Sequence, residues 1–242
     1  MLLVGAFFGV DLGGVVGAGG SPEPAQQQVP TDPNDQTQQW LADVLGDTDQ
    51  VWEDLFKRGN VDYPEPTLVR FSGVVNSGCG TADSRTGPFY CPADQKLYLD
   101  PAFFDDLARM GAQGDFAAAY VIAHEVGHHI QNLEGTLQSV QQQKSRLSEV
   151  DANQLSVATE LQADCYAGIW AHYAAVDRNV LEDGDIDEGL AAAAAVGDDT
   201  LQRSAGMEVE PESFSHGSSA DRAAWFRRGF TSGDVGQCDT FS

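Results

Sequence analysis

The segment Phe116–Leu133 constrains this chain more than any other, because an apolar run leads directly into a short group of polar residues. Phe116–Ala123 is almost wholly apolar, and His124, Glu125 and His128 follow at once. An apolar run of this length predicts a buried helix. Polar groups that continue such a helix are costly unless something satisfies them. The segment therefore predicts a central helix with a polar site built into it.

The spacing of these polar residues indicates a metal site on the helix. Residues four apart share a helix face, so His124 and His128 can direct both imidazoles at one ion, whereas Glu125 is rotated by about 100° from His124. Imidazole nitrogen is a preferred ligand of Zn²⁺, and a carboxylate beside the ion can take a proton from the water that the ion acidifies. The pattern predicts His124 and His128 as zinc ligands and Glu125 as a general base.

A third ligand is expected elsewhere, because a catalytic zinc site normally has three protein ligands and one open position. An apolar helical stripe runs through Ala158–Ala171, and Glu160 and Asp164 lie along its border, one turn apart. We assign Glu160 as the third ligand, with Asp164 accepting the free ring N–H of a ligand histidine. The reverse assignment is also open, and so is an ordinary solvated acidic pair.

Four stretches of the sequence resemble the bacterial neutral zinc metallopeptidase family. They read HEVGHHIQ, ELQADCYAG, SFSHGSSADRAAWFRRGF and SGCGTADSRTGPFYCPADQKLYLD. The resemblance runs from about Trp40 to the C-terminus. It implies an α+β, zincin-like metallopeptidase fold, mostly helical with a small sheet beside the active-site helix. It also implies a membrane-tethered peptidase with one zinc ion per chain.

The chain is expected to hold one catalytic domain, residues 40–242. A chain of 242 residues with 42% hydrophobic content suffices for a single core. Residues 1–20 are apolar, but Asp11 interrupts them too early for a membrane span of about 20 apolar residues. They are either a disordered leader or, since members of the resembled family carry a membrane helix here, the remnant of such an anchor. Residues 21–39 have the Pro- and Gln-rich composition of an extended linker.

Several further elements can be predicted from periodicity and composition. Gln38–Arg58 carries apolar residues at helical spacing and predicts two short helices that separate near Gly46. Thr67–Val75 and Lys96–Leu99 are rich in β-branched and aromatic residues, which predicts strands. In zincins an edge strand beside the active helix can pair with an extended substrate, and we favour Lys96–Leu99 for this role. An ordinary half-buried strand is the alternative.

The four cysteines predict two disulfides and an oxidising compartment. Cys79 and Cys91 flank a turn-rich region and can close a small loop, which leaves Cys165 to anchor Cys238. Such bridges belong to extracytoplasmic proteins, so we expect a location in the cell envelope, either membrane-anchored or released. Four reduced thiols in a cytosolic protein are the alternative.

The charge of the chain bears on its partners. The formal net charge of −24 repels nucleic acid and anionic lipid surfaces. We therefore expect a peptide or protein substrate, no nucleic acid, and a membrane tether only through the N-terminus.

His216 is the remaining histidine with a candidate catalytic role. It lies in a turn just before a helix that Ser218 and Asp221 are expected to cap, so it can reach the cleft and stabilise a developing oxyanion. A purely structural hydrogen bond is the alternative, and Arg222 is a weaker candidate for the same role. We expect His129 and His172 to be structural.

The sequence thus predicts a zinc-dependent endopeptidase with Glu125 as general base. The alternative is a non-catalytic cell-envelope binding protein with a structural zinc on the same scaffold, and hydrolysis of a non-peptide amide is a third reading. An intact Glu125 speaks against a structural zinc, which needs no general base.

Overall fold

The computed structural model describes residues 35–242, which form a mostly helical α+β fold. The predicted leader, residues 1–20, and most of the predicted linker, residues 21–39, lie outside the described residues. In chain order the helices and strands are α1 (Gln36–Arg58), β1 (Thr67–Arg70), β2 (Val74–Ser77), β3 (Gly80–Asp83), β4 (Phe89–Cys91), β5 (Lys96–Leu99), α2 (Ala102–Arg109), α3 (Asp115–Leu133), α4 (Thr136–Lys144), α5 (Glu149–Val176), α6 (Asp185–Ala195), α7 (Asp198–Ser204) and α8 (Ser219–Ser232).

The first helix differs from its prediction. Gln36–Arg58 is one continuous helix, so the two short helices expected on either side of Gly46 were wrong. A glycine in a helix interior costs only about 1 kcal/mol relative to alanine, and burial of Leu41, Val51 and other apolar residues on one face outweighs that cost. The side chain of Asp35 accepts the backbone N–H of Gln38 and caps the helix. Residues 36–39, predicted as linker, therefore belong to α1.

The sheet places β4 beside the central helix. Its strand order is β1-β5-β4, with β1 parallel and β4 antiparallel to β5. The prediction that Lys96–Leu99 offers a free edge was wrong, because this strand is β5 and is paired on both sides. Among the described residues β4 is the edge strand on the side of α3, and the Tyr90 hydroxyl joins the two elements by hydrogen bonds with His129 and Asn132.

The predicted strand Thr67–Val75 is interrupted. It forms β1 and β2, separated by a bend at which Gly73 adopts a φ of 80°. This left-handed conformation suits glycine and ends the first strand. The chain then pairs β2 with β3 in a separate antiparallel hairpin.

The core forms where α3, α5 and α8 pack together. Helix α3 is buried almost throughout, from Phe116 to Gln131. Helices α5 and α8 cross closely at two glycines, because a Cβ on Gly168 would overlap the Phe226 carbonyl and one on Gly229 would overlap the Cys165 carbonyl. This close crossing fixes α8 against the face of α5 that carries the predicted acidic ligands.

The cysteines pair as the sequence favoured. Cys79 is bonded to Cys91, and Cys165 to Cys238. Disulfides persist in oxidising compartments, so the pairing indicates an extracytoplasmic environment. Within residues 35–242, no helix combines the length and apolar character needed to cross a bilayer.

Candidate metal centre

Helices α3 and α5 bring the three predicted ligands together. His124 and His128 lie one turn apart on α3, and Glu160 reaches them from α5. The Nε2 atom of His124 lies 3.2 Å from Oε2 of Glu160, and Nε2 of His128 lies 3.4 Å from Oε1. One ligand atom from each residue lies within 4.8 Å of the other two, and all three side chains are buried. The group thus offers two imidazole nitrogens and a carboxylate to one ion.

Asp164 lies behind His124, one turn after Glu160 on α5. Its Oδ1 atom is 2.8 Å from Nδ1 of His124, which leaves Nε2 of that ring facing the Glu160 carboxylate. The guanidinium of Arg222 donates to both oxygens of Asp164, at 2.8 and 3.0 Å, and the Tyr120 hydroxyl donates to Oδ1. Burial raises the pKa of Asp164, but the charges of Arg222 and His124 outweigh it and lower the pKa. Asp164 is therefore an ionised acceptor.

Gln131 has the corresponding position behind His128. Its Oε1 atom lies 2.8 Å from Nδ1 of His128, and its amide nitrogen donates to the backbone carbonyl of Thr159 at 2.7 Å and to Gln162 at 3.0 Å. Gln131 is fully buried. Both histidines are thus held through Nδ1, and both Nε2 atoms face the same point.

Glu125 lies beside the ligands on α3 and lines the same cleft. It is 9% exposed. Burial raises the pKa of Glu125 above its usual value, although the two neighbouring histidines and the backbone N–H of Tyr90 act in the opposite direction. A buried carboxylate with a raised pKa accepts a proton more readily than an exposed one.

His216 lines the cleft and is held by Asp198. One Asp198 oxygen lies 3.0 Å from Nδ1 of His216, and the other accepts the backbone N–H groups of Ser215, His216 and Gly217 at 2.7 to 3.0 Å. Burial lowers the pKa of His216, but its pairing with Asp198 outweighs burial and raises it. Ser218 caps α8 just beyond this turn, as predicted.

A cleft opens over the ligand group. The segment Ser84–Tyr90, which runs into β4, lines the cleft. Val121, one turn before Glu125 on α3, lines it as well. We call Val121 together with four further apolar lining residues, Phe103, Met110, Val196 and Leu201, the apolar part of the cleft.

The remaining histidines lie away from the ligand group. His129 contacts the Pro64 carbonyl at 2.7 Å and the Tyr90 hydroxyl at 3.0 Å, and His172 contacts the Phe230 carbonyl at 2.8 Å. These three contacts join α3 or α5 to neighbouring segments. These are structural roles, as expected.

Sequence reasoning missed two residues that position the site and expected a different role for a third. Gln131 follows His128 by three positions on the same helix face, a spacing that points to a contact. Asp198 carries no comparable signal, because it lies far from His216 in the chain. Arg222, considered for the oxyanion, instead forms a buried ion pair with Asp164.

Comparison with known proteins gives two groups of relatives. The Escherichia coli K12 protein named "Uncharacterized protein YpfJ" is 45% identical over 246 residues, which cover 100% of this chain and 84% of that protein. The Mycobacterium bovis protein named "Uncharacterized protein Mb2605" is 45% identical over 205 residues, covering 80% of this chain and 67% of the relative. No solved structure matches the chain.

The family profile agrees with the site. The family described as "Putative neutral zinc metallopeptidase" matches residues 1–241. The match includes the ligand group, Glu125 and both disulfides. Because it extends over almost the whole sequence, this chain belongs to that family.

Proposed function

We propose that the protein is a zinc-dependent endopeptidase with His124, His128 and Glu160 as metal ligands and Glu125 as general base. The observation that carries the proposal is the place of Glu125. It is buried beside the ligand group and lines the cleft, while Asp164 and Gln131 hold the two histidines. Glu125 is therefore not needed to orient either histidine and is available to a water molecule in the cleft.

The donor set fits zinc. Two imidazole nitrogens and one carboxylate are the ligands of several catalytic zinc sites, with a further position left open. Within residues 35–242, the ligand group that contains His124 and His128 has Glu160 as its one further member. When bound there, zinc supplies a Lewis acid that polarises a carbonyl and lowers the pKa of water toward about 7.

Glu125 would transfer the proton during hydrolysis. Its carboxylate takes a proton from the attacking water as the C–O bond forms, and later delivers that proton to the leaving amine as the C–N bond breaks. Burial favours the protonated form of Glu125, which the second transfer needs.

His216 would stabilise the tetrahedral intermediate. Its Nδ1 atom faces Asp198, so a protonated ring presents Nε2–H for donation. A donor aimed at the developing oxyanion is typically worth about 10²-fold or more in rate. Asp198 keeps the ring in place through its bonds to the backbone of the same turn.

An extended peptide would lie along β4. This strand is at the sheet edge beside α3, and the residues that lead into it line the cleft. Main-chain pairing tolerates many side chains, so it fixes the direction of the peptide more than its sequence.

The test compares wild type with Glu125→Gln. Zinc content measured by elemental analysis is expected to be one ion per chain in both proteins, because Glu125 is not a ligand. Cleavage of a quenched-fluorescence peptide library is expected in wild type and to fall by about 10³-fold or more in the variant. Equal cleavage rates would overturn the assignment of Glu125.

The structural-zinc alternative predicts a different result. In that case neither protein cleaves peptides, and a fourth protein ligand closes the site. His216 could provide this ligand only through Nε2, because its Nδ1 atom is bonded to Asp198. Loss of zinc on His216→Ala would nevertheless favour this alternative over the peptidase.

A further inference from the structure

A chain of hydrogen bonds connects His128 to the C-terminal segment. It passes from Nδ1 of His128 to Gln131, from the Gln131 amide to Gln162, and from the Gln162 amide to the backbone carbonyl of Cys238, at 2.8, 3.0 and 3.1 Å. Gln131 is 0% exposed, Gln162 8% and Cys238 1%. This series of hydrogen bonds therefore runs through the interior, where water does not compete for them.

Two backbone carbonyls, those of Thr159 and Cys238, determine the direction of these hydrogen bonds. A backbone carbonyl only accepts, so the Gln162 amide nitrogen must face Cys238 and its oxygen must face Gln131. Gln131 then donates to Gln162 and to the Thr159 carbonyl, and its oxygen faces His128. The Nδ1 atom of His128 must in turn carry the hydrogen. In the neutral ring this arrangement leaves Nε2 unprotonated, which is the form that binds a metal ion.

The Cys165–Cys238 disulfide holds the last acceptor in place. Cys165 is fully buried on α5, and its bond to Cys238 ties the C-terminal segment to that helix. The Thr240 hydroxyl also donates to the Ala158 carbonyl at 2.6 Å. Cys238 itself lies after α8, outside the α-helices. The disulfide is therefore the covalent bond that holds the Cys238 carbonyl next to α5.

We propose that the C-terminal segment is part of the metal centre, with Gln131 and Gln162 as positioning residues and the Cys165–Cys238 disulfide as their anchor. Breaking this disulfide is expected to weaken metal binding at His128. The proposal requires a metal on His128 but not peptide hydrolysis. A negative result for Glu125 would therefore not contradict it.

The physical reason lies in the number of bonds that hold Gln131. The Thr159 carbonyl by itself requires the Gln131 amide nitrogen to face it. When the Cys238 carbonyl leaves, the buried Gln162 amide loses its acceptor and can turn over, so that its nitrogen faces the Gln131 nitrogen. Gln131 then loses one of its two acceptors and holds Nδ1 of His128 less firmly. Loss of a partner that orients a ligand histidine typically lowers metal affinity by about 10- to 100-fold.

The two disulfides provide a matched comparison. Zinc dissociation constants would be measured by competition with a chromophoric chelator for wild type, Cys165→Ser/Cys238→Ser and Cys79→Ser/Cys91→Ser. We expect the first double variant to bind zinc at least about 10-fold more weakly and the second to bind like wild type. An equal loss in both variants would overturn the proposal, because it would reflect general destabilisation.

Two glutamine variants test the hydrogen bonds between His128 and Cys238 while the disulfide is intact. Gln131→Met and Gln162→Met keep the side-chain length but lose the hydrogen bonds, and Gln142→Met, at an exposed position of α4, is the control. We expect weaker zinc binding in the first two. In Gln131→Met we also expect a His128 ring that shifts toward Nε2–H in ¹⁵N spectra of the metal-free protein, because Nδ1 loses its acceptor. Wild-type zinc affinity in both would overturn the proposal, even if the Cys165→Ser/Cys238→Ser protein failed to fold.

Discussion

The carboxylate of Asp164 lies 2.8 Å from Nδ1 of His124 and is held on its other side by the guanidinium of Arg222, 2.8 Å away. All three side chains are buried, and Asp164 is fully inaccessible. One carboxylate therefore orients a candidate metal ligand and neutralises a buried cation. The integrity of the site and the stability of the fold depend on the same group.

Asp164→Asn should lower both zinc affinity and stability. An amide is uncharged, so Arg222 loses its counter-ion, and breaking a buried pair typically costs about 3–5 kcal/mol. The orientation of His124 weakens as well, which predicts a loss of about 10- to 100-fold in zinc affinity. Denaturant unfolding and chelator competition measure the two effects. Asp54→Asn, at an exposed position of α1, is the control for the loss of one negative charge. Wild-type zinc affinity in Asp164→Asn would contradict the prediction.

His216→Ala should reduce turnover without removing the metal. If His216 stabilises the oxyanion, kcat falls by about 100-fold while zinc content stays at one per chain. His172→Gln is the control, because His172 lies away from the cleft and contacts the Phe230 carbonyl. Unchanged kcat in His216→Ala would leave His216 with only the structural bond to Asp198.

The apolar part of the cleft should determine which peptide bonds are cleaved. Val121 lies one turn from Glu125, so this pocket would receive the side chain next to the scissile bond, and we expect a preference for large apolar residues. Leu201→Glu should lower kcat/KM for such substrates by about 10- to 100-fold, since burying a charge beside an apolar group is unfavourable. Val180→Glu, at a position that is 55% exposed, is the control. An unchanged cleavage profile for Leu201→Glu would exclude the pocket.

Asp49 should make the protein less stable as the pH rises. Burial raises its pKa from 3.8 to about 7, although the Tyr63 hydroxyl donates to it at 2.7 Å and opposes the shift. Between about pH 4 and pH 7 the folded protein holds a proton that the unfolded chain releases, so stability is lost across this window. Asp49→Asn retains an acceptor for Tyr63 and should unfold with a free energy higher by about 2 kcal/mol at pH 8.

The comparison for Asp49 is made at two pH values. At pH 4 the two proteins should unfold at nearly the same denaturant concentration, because the wild-type carboxyl is then largely protonated when folded. A difference of the same size at pH 4 and pH 8 would show that charge at this position is not responsible.

Gly168→Ala should separate α5 from α8. An added methyl would overlap the Phe226 carbonyl and approach the backbone nitrogen of Phe230 at 2.7 Å. Backbone atoms of a packed helix cannot move away from the overlap as the end of a side chain can. We therefore expect a loss of about 3 kcal/mol in the free energy of unfolding. Gly46→Ala is the matched control in a helix. Nothing lies within 4 Å of its added Cβ, and it should stabilise by about 1 kcal/mol.

Local sequence was sufficient to predict the relative positions of residues that lie within one or two turns of the same helix. His124, Glu125 and His128 lie on one helix, so their relative positions follow from helical periodicity alone. The spacing of Glu160 and Asp164 follows in the same way on α5. Sequence also indicated the cap at Ser218 and the two disulfide pairs, since each of these rests on composition and spacing within the chain.

Tertiary structure decided what each group contacts. Sequence left open whether Glu160 or Asp164 faces the ligand histidines, and the rotation of α5 against α3 places Glu160 at the Nε2 atoms and Asp164 at Nδ1 of His124. The pairing of Asp198 with His216 and the approach of Cys238 to Gln162 depend on helix packing across long stretches of chain. The position of β5 between two strands depends on sheet order, because one strand's sequence does not specify which neighbours it will have.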